Sequence, residues 1–293
     1  MLTRRAVLAI PAALAAPSTN MTLCLHQTTL AAAGYRRSIE GAAKAGIKLV
    51  EVIPAQVREF VDQEGMPAAR RVLSDLGMKV VSGSGARGLF EPHPGQAKAL
   101  EDLKVTAPMM AELGVDRLVC PCGATDQFKA DDYKRGIDNA HTVGDIVKPY
   151  GIVAMLEFMR LSTFIGTLPT ALQFTRDAAH PNVKPMFDCY HFWSGLSKFE
   201  DLALIASGEI HHAHFQDVPR FQRELYTNGT REIPGDGVSP LTVILQALQR
   251  KGYHGPLSVE LFYPHIQQGD PYEVCAEIRR KAEAVMRQAK VLA

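Results

Sequence analysis

The sequence predicts an α/β fold, a single-domain (β/α)8 TIM barrel, and three observations support it. Eight short apolar segments alternate with longer amphipathic segments along the chain. Gly followed by an apolar residue repeatedly leads from helix to strand, as at Gly46-Ile47 and Gly77-Met78, where glycine supplies the left-handed cap. No glycine fingerprint follows the first strand and no change of composition divides the chain. A closed parallel barrel is therefore favoured over a doubly wound nucleotide fold.

Each strand-like segment is short and rich in β-branched or apolar residues. The eight segments are Thr22 to His26, Leu49 to Ile53, Lys79 to Ser82, Arg117 to Cys120, Val153 to Glu157, Lys184 to Asp188, Ile210 to Phe215 and Leu257 to Leu261. The helix-like segments between and after them have an amphipathic pattern. They are Arg36 to Ala45, Met66 to Leu76, Gly95 to Leu113, Asp131 to Tyr150, Leu168 to Ala178, Phe199 to Ala206, Pro240 to Lys251 and Pro271 to Lys290.

Composition excludes several classes of protein. The 293 residues carry 32 Lys and Arg against 31 Asp and Glu, a formal net charge of +1. Nucleic acids and anionic membranes attract a clear basic excess, so neither is expected as a partner. With 46% hydrophobic and 22% charged residues, the chain is composed like an ordinary globular protein. Its five cysteines are odd in number and widely spread, which argues against a disulfide framework.

Residues 1–20 differ from the rest of the chain. Arg4-Arg5 precedes a small apolar run from Ala6 to Ala16, and the segment is similar to a twin-arginine export signal. A periplasmic or secreted protein is therefore expected. The alternative is a disordered tail, or a cytoplasmic protein whose true start is Met21. The apolar run is too short to span a bilayer, so no stable membrane insertion is expected. Residues 21–293 would form the barrel.

Four polar residues end four consecutive predicted strands in the second half of the chain. They are Glu157, Asp188, His214 and Glu260. The carboxyl ends of the strands form the active-site face of such a barrel, so these side chains should meet at its mouth. Any one of them alone would more often be a surface or packed residue. Three carboxylates and one imidazole together predict a site for one divalent ion, with Mn²⁺ first and Mg²⁺, Co²⁺ or Zn²⁺ as alternatives.

Several segments resemble the xylose-isomerase-like TIM-barrel superfamily of sugar isomerases and epimerases. Inosose isomerases look most similar, followed by hydroxypyruvate isomerases and ketose 3-epimerases. The segments that carry the resemblance are Leu156-Glu157-Phe158, residues 187–192, residues 212–217, residues 234–238 and residues 252–262. The resemblance covers the chain from about Met21 to its end and is most specific from Glu157 onward.

The resemblance implies roles for individual residues. The metal ligands fall on Glu157, Asp188, His214 and Glu260, and the two glutamates also serve as the acid/base pair. His191, three residues after the Asp, and Arg220, six residues after the metal-binding His, match the substrate-binding positions of the family.

Further residues near strand ends are weaker candidates. His26 and Glu51 end the first two strands and are expected near the substrate, although Glu51 could instead orient a ligand or play a structural role. His212 is expected in the barrel interior below the metal. Asp217 is expected to brace the loop after the seventh strand. Arg231 belongs to a segment interpreted as a lid or a solvated loop.

The expected reaction is isomerisation or epimerisation of an unphosphorylated keto-sugar or keto-inositol through an ene-diolate. A divalent cation stabilises that intermediate as a Lewis acid, while carboxylates move the proton. Phe158-Met159 and Trp193 suggest an apolar pocket wall, and no phosphate cradle is recognisable. The same site could instead serve a lyase that dehydrates an inosose or dehydroshikimate or deglycosylates a keto-glycoside. A non-catalytic sugar-binding protein is the second alternative. Assembly into a homo-oligomer stays open.

Overall fold

Nine parallel strands and ten α-helices alternate over residues 20–292, the part of the chain that this computed structural model describes. The predicted export segment, apart from Asn20, lies outside the described residues. The strands are β1 (Thr22–His26), β2 (Leu49–Val52), β3 (Lys79–Ser84), β4 (Arg117–Cys122), β5 (Val153–Phe158), β6 (Val183–Pro185), β7 (Phe187–Asp188), β8 (Ala213–His214) and β9 (Pro256–Val259).

The helices lie between the strands and cover the outside of the sheet. They are α1 (Gly34–Lys44), α2 (Pro54–Glu64), α3 (Met66–Asp75), α4 (Gln96–Leu113), α5 (Ala130–Val147), α6 (Leu168–Ala178), α7 (Cys189–Ser194), α8 (Leu241–Arg250), α9 (Pro264–Gln267) and α10 (Pro271–Gln288). Short 3₁₀ helices span Gln27–Ala33, Lys148–Tyr150, Phe199–Leu204 and Arg223–Leu225.

The strands form one nearly closed parallel barrel, in the order β6-β5-β4-β3-β2-β1-β9-β8-β7. The predicted sixth strand is divided, because its first part pairs with β5 and its second part pairs with β8. The change of partner occurs at Met186, whose N–H donates to Leu156 O at 3.0 Å, while the next N–H, of Phe187, donates to His212 O at 3.0 Å. The α/β barrel predicted from the sequence is therefore confirmed, with one strand serving two neighbours.

The structure differs from the predicted elements in several places, among them the short helices α7 and α9, which were left unassigned from the sequence. Helix α2, left unassigned from the sequence, begins with proline at its first turn and packs against α3. The predicted helix from Phe199 to Ala206 is a 3₁₀ helix over Phe199–Leu204. The predicted seventh strand, Ile210 to Phe215, is reduced to the two residues of β8. Its neighbour in the barrel includes Pro185, which has no N–H to donate to a longer ladder.

The barrel interior has an apolar part and a polar part. Val119, Met155 and Met186 are fully buried and form a cluster of their own, separate from the main core that contains the buried faces of the surrounding helices. Glu51 and His212, also buried, contact each other in the interior. Because Phe187 pairs with Ala213 and Asp188 with His214, Met186 and His212 lie at the same level, and the apolar cluster borders the polar groups.

Within residues 20–292, no helix combines the length and the apolar character for crossing a bilayer.

Candidate metal centre and active site

The four residues predicted as metal ligands meet at the carboxyl ends of the strands, and the His214 ring lies at their common point. Its Nδ1 lies 3.1 Å from Glu157 Oε1, 3.4 Å from Asp188 Oδ2 and 3.5 Å from Glu260 Oε2. One ligand atom from each of the four residues lies within 4.8 Å of every other. The structure therefore brings together the whole predicted set, in a volume that one ion would fill.

Strand register explains why these residues converge. Asp188 and His214 are opposite each other in the parallel pair of β7 and β8, and Glu260 directly follows β9, the next strand. Glu157 belongs to β5, on the other side of the divided sixth strand. Asp188 also caps the N-terminus of α7, since its Oδ1 accepts the His191 N–H at 2.6 Å. This hydrogen bond fixes both the carboxylate and the start of the helix that carries His191.

The cluster combines deep burial with an excess of negative charge. Burial alone would lower the pKa of the His214 imidazole, but the carboxylates of Glu51, Glu260 and Glu157 raise that pKa well above its ordinary value. Burial raises the pKa of Glu157 to about 7, although His214 acts in the opposite direction. The imidazole is thus held as a cation by the surrounding carboxylates, and a divalent ion would satisfy the same charges more fully.

The other two carboxylates are held ionised. Burial would raise the pKa of Asp188, but His191, Arg231 and His214 outweigh it and keep that pKa below its usual range. For Glu260, Arg231, His26 and His214 likewise overcome burial and lower the pKa. Glu260 and Glu157 keep 7% and 3% of their surface exposed, whereas Asp188 and His214 keep none. The two glutamates are therefore the members of the cluster that face the open mouth.

Several buried polar atoms around the cluster lack a hydrogen-bond partner in the described part of the chain, as expected where a ligand binds. His26 Nε2, Arg231 Nε and Gln216 Oε1 are buried without a hydrogen-bond partner among the described residues. Such groups are rare in folded proteins unless a ligand, ion or water satisfies them. Three carboxylates and one imidazole are also a donor set suited to Mn²⁺, Zn²⁺ and related ions. On both grounds the residues present fit a divalent cation.

Arg231 is the functional residue that the sequence analysis missed. Only 2% exposed, it donates to Glu260 Oε2, and its Nη2 lies 3.0 Å from His191 Nε2. Its guanidinium carbon also lies 5.0 Å from the Tyr190 ring centroid and 4.8 Å from that of Phe262. The segment before Arg231 is mostly exposed, as a solvated loop would be, but the Arg231 side chain is buried against the carboxylates. The motif Arg231-Glu-Ile-Pro-Gly-Asp-Gly was the available signal.

Asp217 holds the chain segment that carries Arg231. Its backbone exchanges two hydrogen bonds with Glu232, of 2.9 and 3.0 Å, which fix Arg231 beside the mouth. Its carboxylate accepts four backbone N–H groups, from Val218, Gly235, Gly237 and Ser239. The expected bracing of this loop by Asp217 matches these contacts.

Replacing Asp217 by Ala is expected to lower the free energy of unfolding by about 3 kcal/mol, because several backbone donors lose a charged acceptor. Asp236→Asn is the matched control. Within residues 20–292 the Asp236 carboxylate forms one ion pair, with the partly exposed Lys281 Nζ at 2.6 Å, so the substitution should change stability by less than about 1 kcal/mol. Urea unfolding of both variants measures the difference. Equal stability of the two variants would show that the Asp217 hydrogen bonds have little net effect.

The predicted substrate-binding residues occupy different depths. His191 is buried against Arg231, and burial lowers its pKa to about 4. His26 lies at the end of β1 with its Nε2 3.4 Å from Glu260 Oε1. Glu51 is fully buried beneath His214. Arg220 is exposed on the loop after β8, and its role in binding stays a prediction.

Two cavities open over the first half of the barrel, beside the cluster. One of about 540 Å³ lies between the segments that follow β2 and β3, and one of about 370 Å³ lies between those that follow β3 and β4. Arg87 lines both, and its Nη1 is 3.9 Å from the sulfur of Met159, two residues after Glu157. The four cluster residues line neither cavity, but each volume is in the range of a small-molecule site.

Comparison with known proteins gives consistent results. The family model described as xylose isomerase-like TIM barrel matches residues 39–288. An inosose isomerase of Halalkalibacterium halodurans is 26% identical over 255 residues, which cover 85% of this chain and 90% of that protein. A D-psicose 3-epimerase of Agrobacterium fabrum is 25% identical over 248 residues, covering 76% of this chain and 78% of that protein.

A third relative has a different activity. A 3-dehydroshikimate dehydratase of Pseudomonas putida is 23% identical over 235 residues, which cover 76% of this chain and 35% of that longer protein. Among solved structures, the crystal structure of the IOLI protein with a binding zinc atom superimposes with a TM-score of 0.85 at 22% identity, covering 93% of this chain and all of that chain. At this identity the superposition shows the shared fold.

Proposed function

Because the chain belongs to the xylose isomerase-like TIM barrel family, we propose that it is a divalent-metal-dependent isomerase or epimerase of an unphosphorylated keto-sugar or keto-inositol. The observation that carries the proposal is the cluster of Glu157, Asp188, His214 and Glu260 at the mouth of the barrel. Relatives named as inosose isomerase and D-psicose 3-epimerase support this class of reaction.

The four clustered residues would hold one divalent ion, for which we propose Mn²⁺ first. When bound, the ion acts as a Lewis acid that stabilises the negative charge developing on the substrate oxygens. Carboxylate oxygens and one imidazole suit Mn²⁺, and Mg²⁺, Co²⁺ and Zn²⁺ are alternatives. The zinc atom of the IOLI crystal structure belongs to a protein of the same fold.

The proposed proton transfer uses the two glutamates at the open side of the cluster. Removal of a proton beside a carbonyl gives an ene-diolate, and return of a proton to the neighbouring carbon, or to the opposite face of the same carbon, gives the isomer or the epimer. Glu157 and Glu260 both approach Nδ1 of His214, from strands on either side of β8, and both keep a small exposed fraction toward the mouth. Each could therefore accept a proton from a bound substrate or return one to it.

Positively charged and hydrogen-bonding groups would hold the substrate. His191, His26 and Arg220 are the proposed contacts, and Arg231 joins them because its guanidinium lies between His191 and Glu260. A buried arginine at this place can polarise a substrate oxygen and keep Glu260 ionised. No step requires a phosphate group.

A lyase is the second candidate, and one observation favours it. The chain is similar to 3-dehydroshikimate dehydratases, of Pseudomonas putida and Pseudomonas aeruginosa, over 76% of its length. The same proton removal can be followed by loss of a β-hydroxyl or a β-linked aglycone instead of reprotonation. A non-catalytic sugar-binding role is disfavoured, since both acid/base glutamates are in place.

Product analysis separates these candidates. The metal-loaded protein would be incubated with inosose, fructose, hydroxypyruvate and a 3-keto-glucoside, and the products identified by mass and NMR. A product of unchanged mass from at least one compound is the expected result. Loss of water or of the aglycone would establish the lyase, and recovery of every compound unchanged would contradict both enzymatic proposals.

A further inference from the structure

We propose that Glu51 is a positioning residue, which fixes the His214 ring so that Nδ1 faces the three carboxylates of the metal centre. This inference rests on the proposed function, because it concerns the ligand set of the same ion. It places Glu51 behind the metal ligands, which agrees with the alternative that Glu51 orients a ligand and differs from a direct substrate contact.

Glu51 is a fully buried carboxylate whose ionic neighbours are all histidines. Its Oε2 accepts from His212 Nε2 at 2.7 Å, and its Oε1 lies 3.3 Å from His214 Nε2 and 3.6 Å from His26 Nε2. Within residues 20–292, no lysine or arginine nitrogen lies within 4.0 Å of it. Burying a carboxylate is costly unless hydrogen bonds or a paired cation compensate it. For Glu51 the three imidazoles supply this compensation.

The two nitrogens of the His214 ring face two different surroundings. Nδ1 faces Glu157, Asp188 and Glu260, while Nε2 lies 3.3 Å from Glu51 Oε1, its one carboxylate neighbour within residues 20–292. To hold an ion, the ring would release its Nδ1 proton, keep its Nε2–H donated to Glu51 and present the Nδ1 lone pair to the carboxylate side. Histidines that bind metals usually donate their other N–H to a carboxylate or a carbonyl, which fixes the ring and strengthens the ligand.

Glu51 lies in the barrel interior, on the Nε2 side of the His214 ring and away from the metal centre. In the parallel sheet it lies opposite His26 on β1 and opposite Ser82 on β3. Ser82 Oγ in turn lies 3.5 Å from His212 Nε2, so this layer is linked across the barrel. Glu51 has no exposed surface, whereas Glu260 and Glu157 keep a small exposed fraction. A substrate entering from the mouth therefore reaches the two glutamates of the cluster and not Glu51.

A second ion is the competing explanation for the same residues. One ligand atom each of His26, Glu51 and His214 also lies within 4.8 Å of the others. An ion there would take the Nε2 of His214 and the Oε1 of Glu51, and would break their direct hydrogen bond. The number of bound ions distinguishes the two explanations, because a positioning role for Glu51 requires one ion per chain.

The first experiment measures Zn²⁺ affinity by competition with a chromogenic chelator. Glu51→Gln keeps the side-chain shape but removes the charge, and it should weaken Zn²⁺ binding by about 10- to 100-fold. Ser82→Ala, which alters the same layer without touching His214, is the matched control and should bind like the wild type. A folded Glu51→Gln variant with wild-type affinity would overturn the proposal, as would two Zn²⁺ ions bound per wild-type chain.

A second experiment needs no variant. In ¹⁵N-labelled, Zn²⁺-loaded wild type, long-range ¹H–¹⁵N NMR spectra show which ring nitrogen carries the proton. The expected pattern for His214 has a protonated Nε2 and a Zn²⁺-bound Nδ1, and the reverse pattern would overturn the proposal. A wild type that binds no divalent ion would contradict the proposed function itself. One ion bound with equal affinity by wild type and Glu51→Gln would contradict only the role of Glu51.

Discussion

Replacing Glu260 by Gln is expected to lower kcat by about 10²- to 10⁴-fold while leaving the protein folded, because the amide cannot accept a proton. Gln keeps the shape of the side chain and an oxygen that can accept from Arg231, which contacts Glu260 directly. The substitution should therefore slow the chemical step and change the packing little. Steady-state kinetics at saturating Mn²⁺, together with the metal content of the variant, measure the effect.

Glu232→Gln is the matched control for this experiment. Glu232 lies one residue from Arg231 and faces Tyr263, whose hydroxyl donates to its Oε1 at 3.3 Å, so it is close to the mouth but outside the cluster. Its substitution should leave kcat unchanged. Full turnover by a metal-loaded Glu260→Gln variant would contradict the assignment of Glu260 to the acid/base pair.

Removal of divalent ions by a chelator is expected to abolish turnover, and addition of Mn²⁺ should restore it. The ion would also stabilise the folded chain, since it binds a preformed set of ligands, by about 2.7 kcal/mol when its concentration is 100 times its Kd. Thermal unfolding with and without Mn²⁺ measures this stabilisation.

His214→Ala should show neither the activity nor the stabilisation by Mn²⁺, because the ring is the common contact of the three carboxylates. The control variant Asp236→Asn, which changes a partly exposed ion pair, should keep the stabilisation by Mn²⁺. Turnover that is unaffected by complete chelation would contradict the metal-dependent mechanism.

The barrel and its four clustered side chains could be predicted because they depend on local patterns. Each ligand follows or ends a short apolar segment, and parallel strands bring their carboxyl ends to one edge. The positions of Glu157, Asp188, His214 and Glu260 are therefore fixed by the alternation of strands and helices. Strand boundaries were less predictable, since the sixth strand changes its partner from β5 to β8 at Met186 and hydropathy does not show such a change.

Arg231 could not be placed from the pattern because its position depends on contacts between distant parts of the chain. A polar segment rich in Arg is typical of solvated loops, and the residues before Arg231 are indeed mostly exposed. Its burial follows from the Asp217 and Glu232 backbone pair and from the rings of Tyr190 and Phe262. Except for Glu232, these partners are distant from Arg231 in the sequence.

Glu51 illustrates a different limit of the sequence. Like the four cluster residues it ends a predicted strand, and that position left open whether it contacts substrate, orients a ligand or plays a structural role. Depth within the barrel distinguishes them, since Glu51 is closed off by His214 and His212 while Glu260 still faces the mouth. Such depth depends on the stagger of the strands around the barrel, which a linear pattern does not encode.

Deuterium exchange in D₂O tests the central claim most directly, since the ene-diolate mechanism requires removal of a proton beside a carbonyl. Metal-loaded wild type would be incubated with inosose, fructose, hydroxypyruvate and a 3-keto-glucoside, and the compounds examined by NMR after removal of protein and metal. We expect deuterium at the carbon next to the carbonyl in at least one compound, dependent on the metal and absent with Glu157→Gln or Glu260→Gln. Exchange in none of the compounds, or exchange at the wild-type rate in both variants, would contradict the claim.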